Sequence, residues 1–342
     1  MTVTTTFFKT LRPLTGLLLI GQNLQAQGPD KGFLDRWALT IPGGGAGWLE
    51  VTKHDGHYDA SILWGGGSVV PVDSVFFPDS ETLIVTRISE VKRKGANGEP
   101  ERTQRFTDAV VAKIDGDEMQ LTLMHPNPNG VGVDRKEFTG KRIAPLPPKP
   151  DLAKVKYGEP VTLFDGSNLD HWELINPKDA NGWSIVDGAL SNDPVQEDGE
   201  PHKSYGNLRT KQTFEDFNLK LEVMVPEGGN SGIYLRGIYE IQVAATYGKP
   251  LNAHNMGGIY SRVAPAIAAE KPAGEWQTYD ITLVDRHVTV VLNGKTIHDN
   301  VPLQGCTGGA LTSDETKPGP IYLQGDHTRA SYKNVVLRPV AK

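Results

Sequence analysis

The stretch GGNSGIYLRGIYEIQV at 228–243 gathers residues whose types could work on a substrate. Read as a single strand, its alternation puts Ile233, Leu235, Tyr239, Ile241 and Val243 on one face. Tyr234, Arg236, Ile238, Glu240 and Gln242 then share the other. An arginine, a glutamate and an amide on one face make either a structural polar network or the floor of a binding groove. In the second case Glu240 could serve as a general base and Arg236 could steady a developing anion. A straight strand separates them by about 13 Å, so a sugar unit or two, or a kink at Gly237, would have to lie between.

Ordinary glycoside hydrolysis asks for more. A retaining enzyme holds two carboxylates roughly 5–5.5 Å apart and an inverting one roughly 6.5–9.5 Å. Alternate residues of a strand lie about 6.6 Å apart, which suits an acidic pair on one face. Here the neighbours of Glu240 on its face are Ile238 and Gln242, so the local pair is missing. A second carboxylate such as Asp326 would have to come from another strand. His327, in LQGDHT, adds a group able to carry protons near neutral pH, although a histidine in a loop is usually only solvated. Tyr260, in GGIYSRV, suits stacking on a sugar as well as core packing.

These residues need a scaffold of strands. WSIVDGALSN, FNLKLEVMV, RHVTVVLNGKTIHDNV and GPIYLQGDHTRASYKNVVLRPV alternate with period two and are joined by turn signals, notably Asp187-Gly188 and Asn293-Gly294. Many short strands with almost no helix predict a two-sheet β-sandwich or jelly roll over 161–342. Its one weakly helical run is 264–270, bracketed by prolines. Residues 28–140 read as a small antiparallel β sandwich or barrel, with a hairpin signal at Asp115-Gly116 and no catalytic constellation. The five prolines of 141–160 mark an extended linker. Residues 1–27 have the layout of a secretory signal, with Lys9 and Arg12 before an apolar run and Ala26 near a cleavage point. Secretion or periplasmic location is the expectation.

Composition removes several classes. A formal charge of −6 and the lack of a long basic run argue against nucleic acid as a partner. No segment reaches the ~20 apolar residues of a membrane span. The lone Cys306 cannot form an internal disulfide. A serine-hydrolase elbow, a phosphate loop ahead of a helix and the strong zinc motifs are missing too; GGGAG at 43–47 and GGG at 65–67 precede no helix.

The ordered segments VTLFDGSNLDHWEL, WSIVDGALSN, NSGIYLRGIYEIQV, MGGIY, AGEWQTYDITL, VLNGKTIHDN and IYLQGDHTRASYKNVVLRP resemble the 3-keto-disaccharide hydrolase family over about 161–340. That resemblance implies a concanavalin-like lectin/glucanase fold, in mostly exported bacterial proteins. It also implies cleavage of glycosides whose sugar is already a ketone at C3. The ketone acidifies the hydrogen on C2, so one base can form an enolate that expels the C1 substituent, and water can add back. Glu240, Arg236 and His327 could supply the base, the enolate stabiliser and the proton donor, with Glu240 and His327 exchangeable. A divalent metal ion is an alternative stabiliser. Asn230, Gln242, Tyr260 and Gln324 would hydrogen-bond an oligosaccharide or glycoside substrate.

One departure stands out. Relatives often carry an acid a few positions after the motif glutamate, where this chain has Ala245. Its loss keeps open a non-catalytic carbohydrate-binding module on the same fold. The enzyme reading requires Glu240 and His327 to face one pocket.

Overall fold

The computed structural model describes residues 31–64, 66–95, 99–196 and 202–341. The expected export signal at 1–27 lies outside the described residues. Among them, no helix is long and apolar enough to cross a membrane.

Nine strands between Asp35 and Arg142 form one antiparallel sheet. Its middle joins Asp35–Ile41 to Val133–Arg142, so the first and last strands of the unit are neighbours. The sheet curls around its own apolar interior, where Trp37, Leu49, Ile62, Leu83, Val85 and Leu121 are buried. The Asp115-Gly116 signal is met by a two-residue hairpin that pairs Asp115 with Glu118.

The sequence from Val161 onward folds into a concanavalin-like jelly-roll sandwich of two antiparallel sheets. The larger has eight strands, and Phe217–Met224 shows why they form. Phe217, Leu219, Leu221 and Val223 are buried while the residues between them are not, the period-two pattern of a sheet with one face in the core. Each such side chain contributes roughly 1.5–3 kcal/mol by leaving water. The smaller sheet runs Trp172–Leu174, Leu208–Thr210, Tyr322–Leu323, Asn230–Leu235, Tyr239–Ala244. Ile233, Ile241, Val243 and Leu323 pack its inner face against the larger sheet. Asp187-Gly188 and Asn293-Gly294 make the expected tight turns, with positive φ at both residues of each. The proline-bracketed run 264–270 is loop rather than helix.

A further feature departs from expectation. The stretch 228–243 is a hairpin, not one strand: Asn230–Leu235 pairs with Tyr239–Ala244. Arg236 (φ 56°) and Gly237 (φ 64°) form its turn, closed by the Ile238 N–H to Leu235 C=O bond of 3.0 Å. Arginine is a poor marker for such a turn, which is why alternation alone ran straight through it.

The two β units also pack against each other. Ala46, Trp48 and Leu63 of the first sheet pack into the apolar cluster of the sandwich. Trp48 Nε1 donates to Cys306 C=O at 2.8 Å, and the guanidinium of Arg36 lies 4.4 Å over its ring. The proline-rich connection lies along the sandwich. Arg286 donates to the carbonyls of Ala144 and Pro145, and Asn300 to that of Pro150.

Candidate active site

The hairpin register builds the site. Tyr234 stands opposite Glu240 on one side and opposite Tyr322 on the other. Next to Tyr322 comes Arg209, which pairs with Glu173. A row of polar and aromatic side chains thus crosses the outer face of the smaller sheet, above the apolar row that faces the core. The Tyr234 and Tyr322 rings stack at 4.0 Å with 9° between their planes.

Glu240 is 3% exposed. Its Oε2 lies 2.8 Å from the Tyr234 hydroxyl, which is also 2.7 Å from Gly308 C=O. A phenol has one hydrogen. An ionised Glu240 and the carbonyl would compete for it. A protonated Glu240 removes the conflict by donating to the phenol oxygen, which frees the phenol hydrogen for Gly308. Burial pushes the Glu240 carboxyl up to about 8, and the Tyr234 hydrogen bond offsets only part of that. The same burial, with Glu240 alongside, holds the Tyr234 hydroxyl well above its usual value.

Asp326 and His327 follow the strand Tyr322–Leu323. The loop that carries them is pinned by Thr328, whose hydroxyl accepts from Asn230 N–H (2.6 Å) and donates to Asn230 C=O (3.0 Å). His327 Nδ1 is 2.7 Å from Asp326 Oδ1. That hydrogen bond raises the histidine above the usual 6.5, against the opposing effect of burial. It also leaves Nε2 as the free ring nitrogen.

Glu240 and His327 line one pocket of about 270 Å³, joined there by Asn230, Tyr260 and Gln324. Tyr260 arrives from a loop that continues the sheet edge, its N–H on Glu240 C=O at 3.1 Å. Five of the seven residues expected from sequence are therefore brought together.

Two are not. Arg236 occupies the hairpin turn, where its guanidinium donates to the carbonyls of Glu315 and Lys317. The assumed straight strand had placed it on the Glu240 face; the turn carries it off the pocket, so it is no enolate stabiliser here. Gln242 is buried beneath the loop at 257–258, with backbone bonds to Gly257 and Gly258 and its Oε1 on Val243 N–H.

Sequence reasoning assigned no role to Tyr234, Tyr322 or Asn207, all of which line the pocket. Tyr234 sat on the polar face, and recognising the turn would have set it against Glu240. Asn207 follows no pattern; it is located only by its 2.6 Å bond from Gly325 N–H and by Tyr322. Ala245 is buried and does not line the pocket, so the departure there leaves the pocket residues in place. Among the described residues no three His, Cys, Asp or Glu side chains converge as metal ligands.

Gly232 sits directly across from Gln242, and a Cβ there would collide with Glu240 Oε1. Gly232→Ala is therefore expected to displace the carboxyl. Displacements near 1 Å cost about a hundredfold in rate. Turnover measured beside the melting temperature checks this: kcat should fall while the sandwich stays folded.

Residues 159–338 match the 3-keto-alpha-glucoside-1,2-lyase-like domain family. Among solved structures, a candidate glycosyl hydrolase from Parabacteroides distasonis is 31% identical. The match covers 57% of this chain and 93% of that one, with a TM-score of 0.44. A second from the same organism is 19% identical, with 53% and 94% covered and a TM-score of 0.45. A carbohydrate-binding module from Bacillus subtilis is 14% identical, with 48% and 93% covered and a TM-score of 0.31. No curated protein matches the chain.

Proposed function

The chain belongs to the 3-keto-alpha-glucoside-1,2-lyase-like family, and from that membership we propose that it cleaves glycosides whose sugar bears a ketone at C3. Membership itself carries a glycosyl hydrolase-like or carbohydrate-binding function. The keto-sugar chemistry is the finer reading, and it deepens the role of the pocket.

One observation carries it. The pocket holds a buried carboxyl, bonded to a tyrosine hydroxyl and pushed up to about 8 by burial, together with a histidine whose Nδ1 is tied to a carboxylate. Asp326 is the second carboxylate that the sequence called for, but it is engaged with His327. The set is an acid and a base rather than an acid and a nucleophile.

The roles exchange relative to the first expectation. His327, through Nε2, takes the C2 proton, and Asp326 steadies the imidazolium that forms. The C2 electron pair enters the enolate and then expels the C1 oxygen. Glu240 gives its proton to that oxygen. As it does, the Tyr234 hydroxyl can turn from Gly308 C=O to the new carboxylate. Water adding at C1, with a proton returning to C2, completes a net hydrolysis. Uncharged donors from Tyr322, Asn207 and Gln324 are at hand for the enolate oxygen.

Incubation with 3-keto-lactose or 3-keto-trehalose, beside the plain disaccharides, tests the reading. Sugar release from the keto compounds alone supports it. Release from the plain sugars alone contradicts it, and binding without release supports a carbohydrate-binding module.

A pH dependence follows. The base must be neutral, so kcat/KM falls as pH drops through the His327 value, above 6.5. The acid must be protonated, so kcat/KM falls again as pH rises past about 8. The two groups interact, and the limbs belong to the pair. A bell between these limits is expected; a plateau extending well above pH 9 would remove Glu240 as the acid.

A further inference from the structure

We propose that the N-terminal β unit is part of the sugar site, its Gly66–Ser68 segment forming one wall of the pocket, on the side that takes the aglycone. This deepens the reading above and rests on it for what is cleaved, but not for what forms the wall.

Gly66 and Gly67 line the same pocket as Glu240 and His327, although they lie more than 160 residues away in the chain. The segment is held from both sides. Ser68 Oγ is 2.9 Å from His254 Nε2 and 3.5 Å from the Tyr260 hydroxyl. Val69 N–H donates to Ser261 Oγ at 2.8 Å. The His254 ring meets Tyr260 edge-on at 5.1 Å, so the pose of the pocket tyrosine depends on the first sheet.

Opposite, the backbone of Gly67 lies against Gly308, where any Cβ would overlap the Gly67 carbonyl. Gly308 in turn accepts from Tyr234, the partner of Glu240. A Cβ at Gly309 would come within 2.6 Å of that hydroxyl. Gly308 thus lets the first β unit approach at backbone distance the residue that accepts from the acid's hydrogen-bond partner.

The segment is anchored by what precedes it. The strand His57–Trp64 places Leu63 in the core of the sandwich, and Trp48 reaches Cys306 from the neighbouring strand. Such burial makes the wall a fixed part of the site.

A wall on that side changes the substrate class. An open concave sheet accepts the middle of a polysaccharide, as a groove does. A pocket of about 270 Å³ walled on that side, just under the roughly 300–1,000 Å³ range of small-molecule sites, holds fewer sugar units there. The wall sets the aglycone beside Gly66 and limits its size.

The test uses the full chain carrying Gly66→Phe beside the wild type. A Cβ at Gly66 meets nothing within 4 Å, and its φ is not positive, so the variant should fold, checked by melting temperature. Binding of 3-keto-lactose and of methyl 3-keto-glucoside is measured by calorimetry at low temperature, beside turnover. Gly66→Phe should weaken the disaccharide tenfold or more, about the discrimination one added steric contact can produce, and the methyl glycoside less than twofold. Equal effects on both ligands, or none, would overturn the wall. Wild-type binding without cleavage would refute the enzyme reading and leave the wall to be judged by affinity alone. No binding of either ligand by the wild type would overturn both.

Discussion

Glu240→Gln is expected to lower turnover of a 3-keto-glycoside by about 10²–10⁴, the range typical of a positioned acid or base, and yet to stabilise the fold at neutral pH. The loss follows from the proton: glutamine cannot give one to the leaving oxygen. The gain follows from linkage. In the unfolded chain Glu240 titrates near 4.5, and in the folded one near 8. Between those values folding takes up a proton, so the wild type loses stability as pH rises from 4.5 to about 8. At pH 7 the difference is on the order of 3 kcal/mol, from about 1.4 kcal/mol per unit. Glutamine does not titrate, fits the same volume and can donate an amide hydrogen to the Tyr234 oxygen. Melting curves of both proteins at pH 5, 7 and 8.5 should therefore coincide most closely at pH 5 and diverge upward. A variant less stable than wild type at every pH would mean that Glu240 is ionised in the folded protein.

Replacing the base is expected to cost as much. His327→Ala should lower kcat/KM by about 10²–10⁴ at all pH values. Asp326→Asn separates position from charge. Asparagine can still accept from Nδ1, so the imidazole keeps its orientation while losing the carboxylate that raises it. The acid limb of the pH profile should then move to lower pH, with a smaller rate on the plateau. A purely structural Asp326 would change the stability of the 326–328 loop and leave the limb where it was.

How far these residues were legible in sequence differs from one to the next. Period-two burial in Phe217–Met224 and the Asn-Gly and Asp-Gly turns announced the sandwich, because side-chain alternation and positive φ are local properties. Glu240 and His327 were legible as chemistry, and their meeting required the sheet order that sets Tyr322–Leu323 beside Asn230–Leu235. Arg236 was misplaced because arginine gives no sign of a left-handed backbone. Without that turn, the Tyr234–Glu240 pair that decides the carboxyl's protonation stays hidden. Gly66 and Gly67 were out of reach for another reason. A glycine run carries no chemistry of its own, and only packing between the two β units reveals what it faces.

The central claim is that the C2 hydrogen of a 3-keto-glycoside leaves as a proton in this pocket. The direct measurement is sugar release from 3-keto-lactose carrying either hydrogen or deuterium at C2, followed as kcat/KM at pH 7.5. The account predicts a clear primary isotope effect, lost turnover in Glu240→Gln and His327→Ala, and no release from lactose. Equal rates for the two isotopologues together with cleavage of plain lactose would contradict it, and would make the pocket one for direct glycosidic hydrolysis.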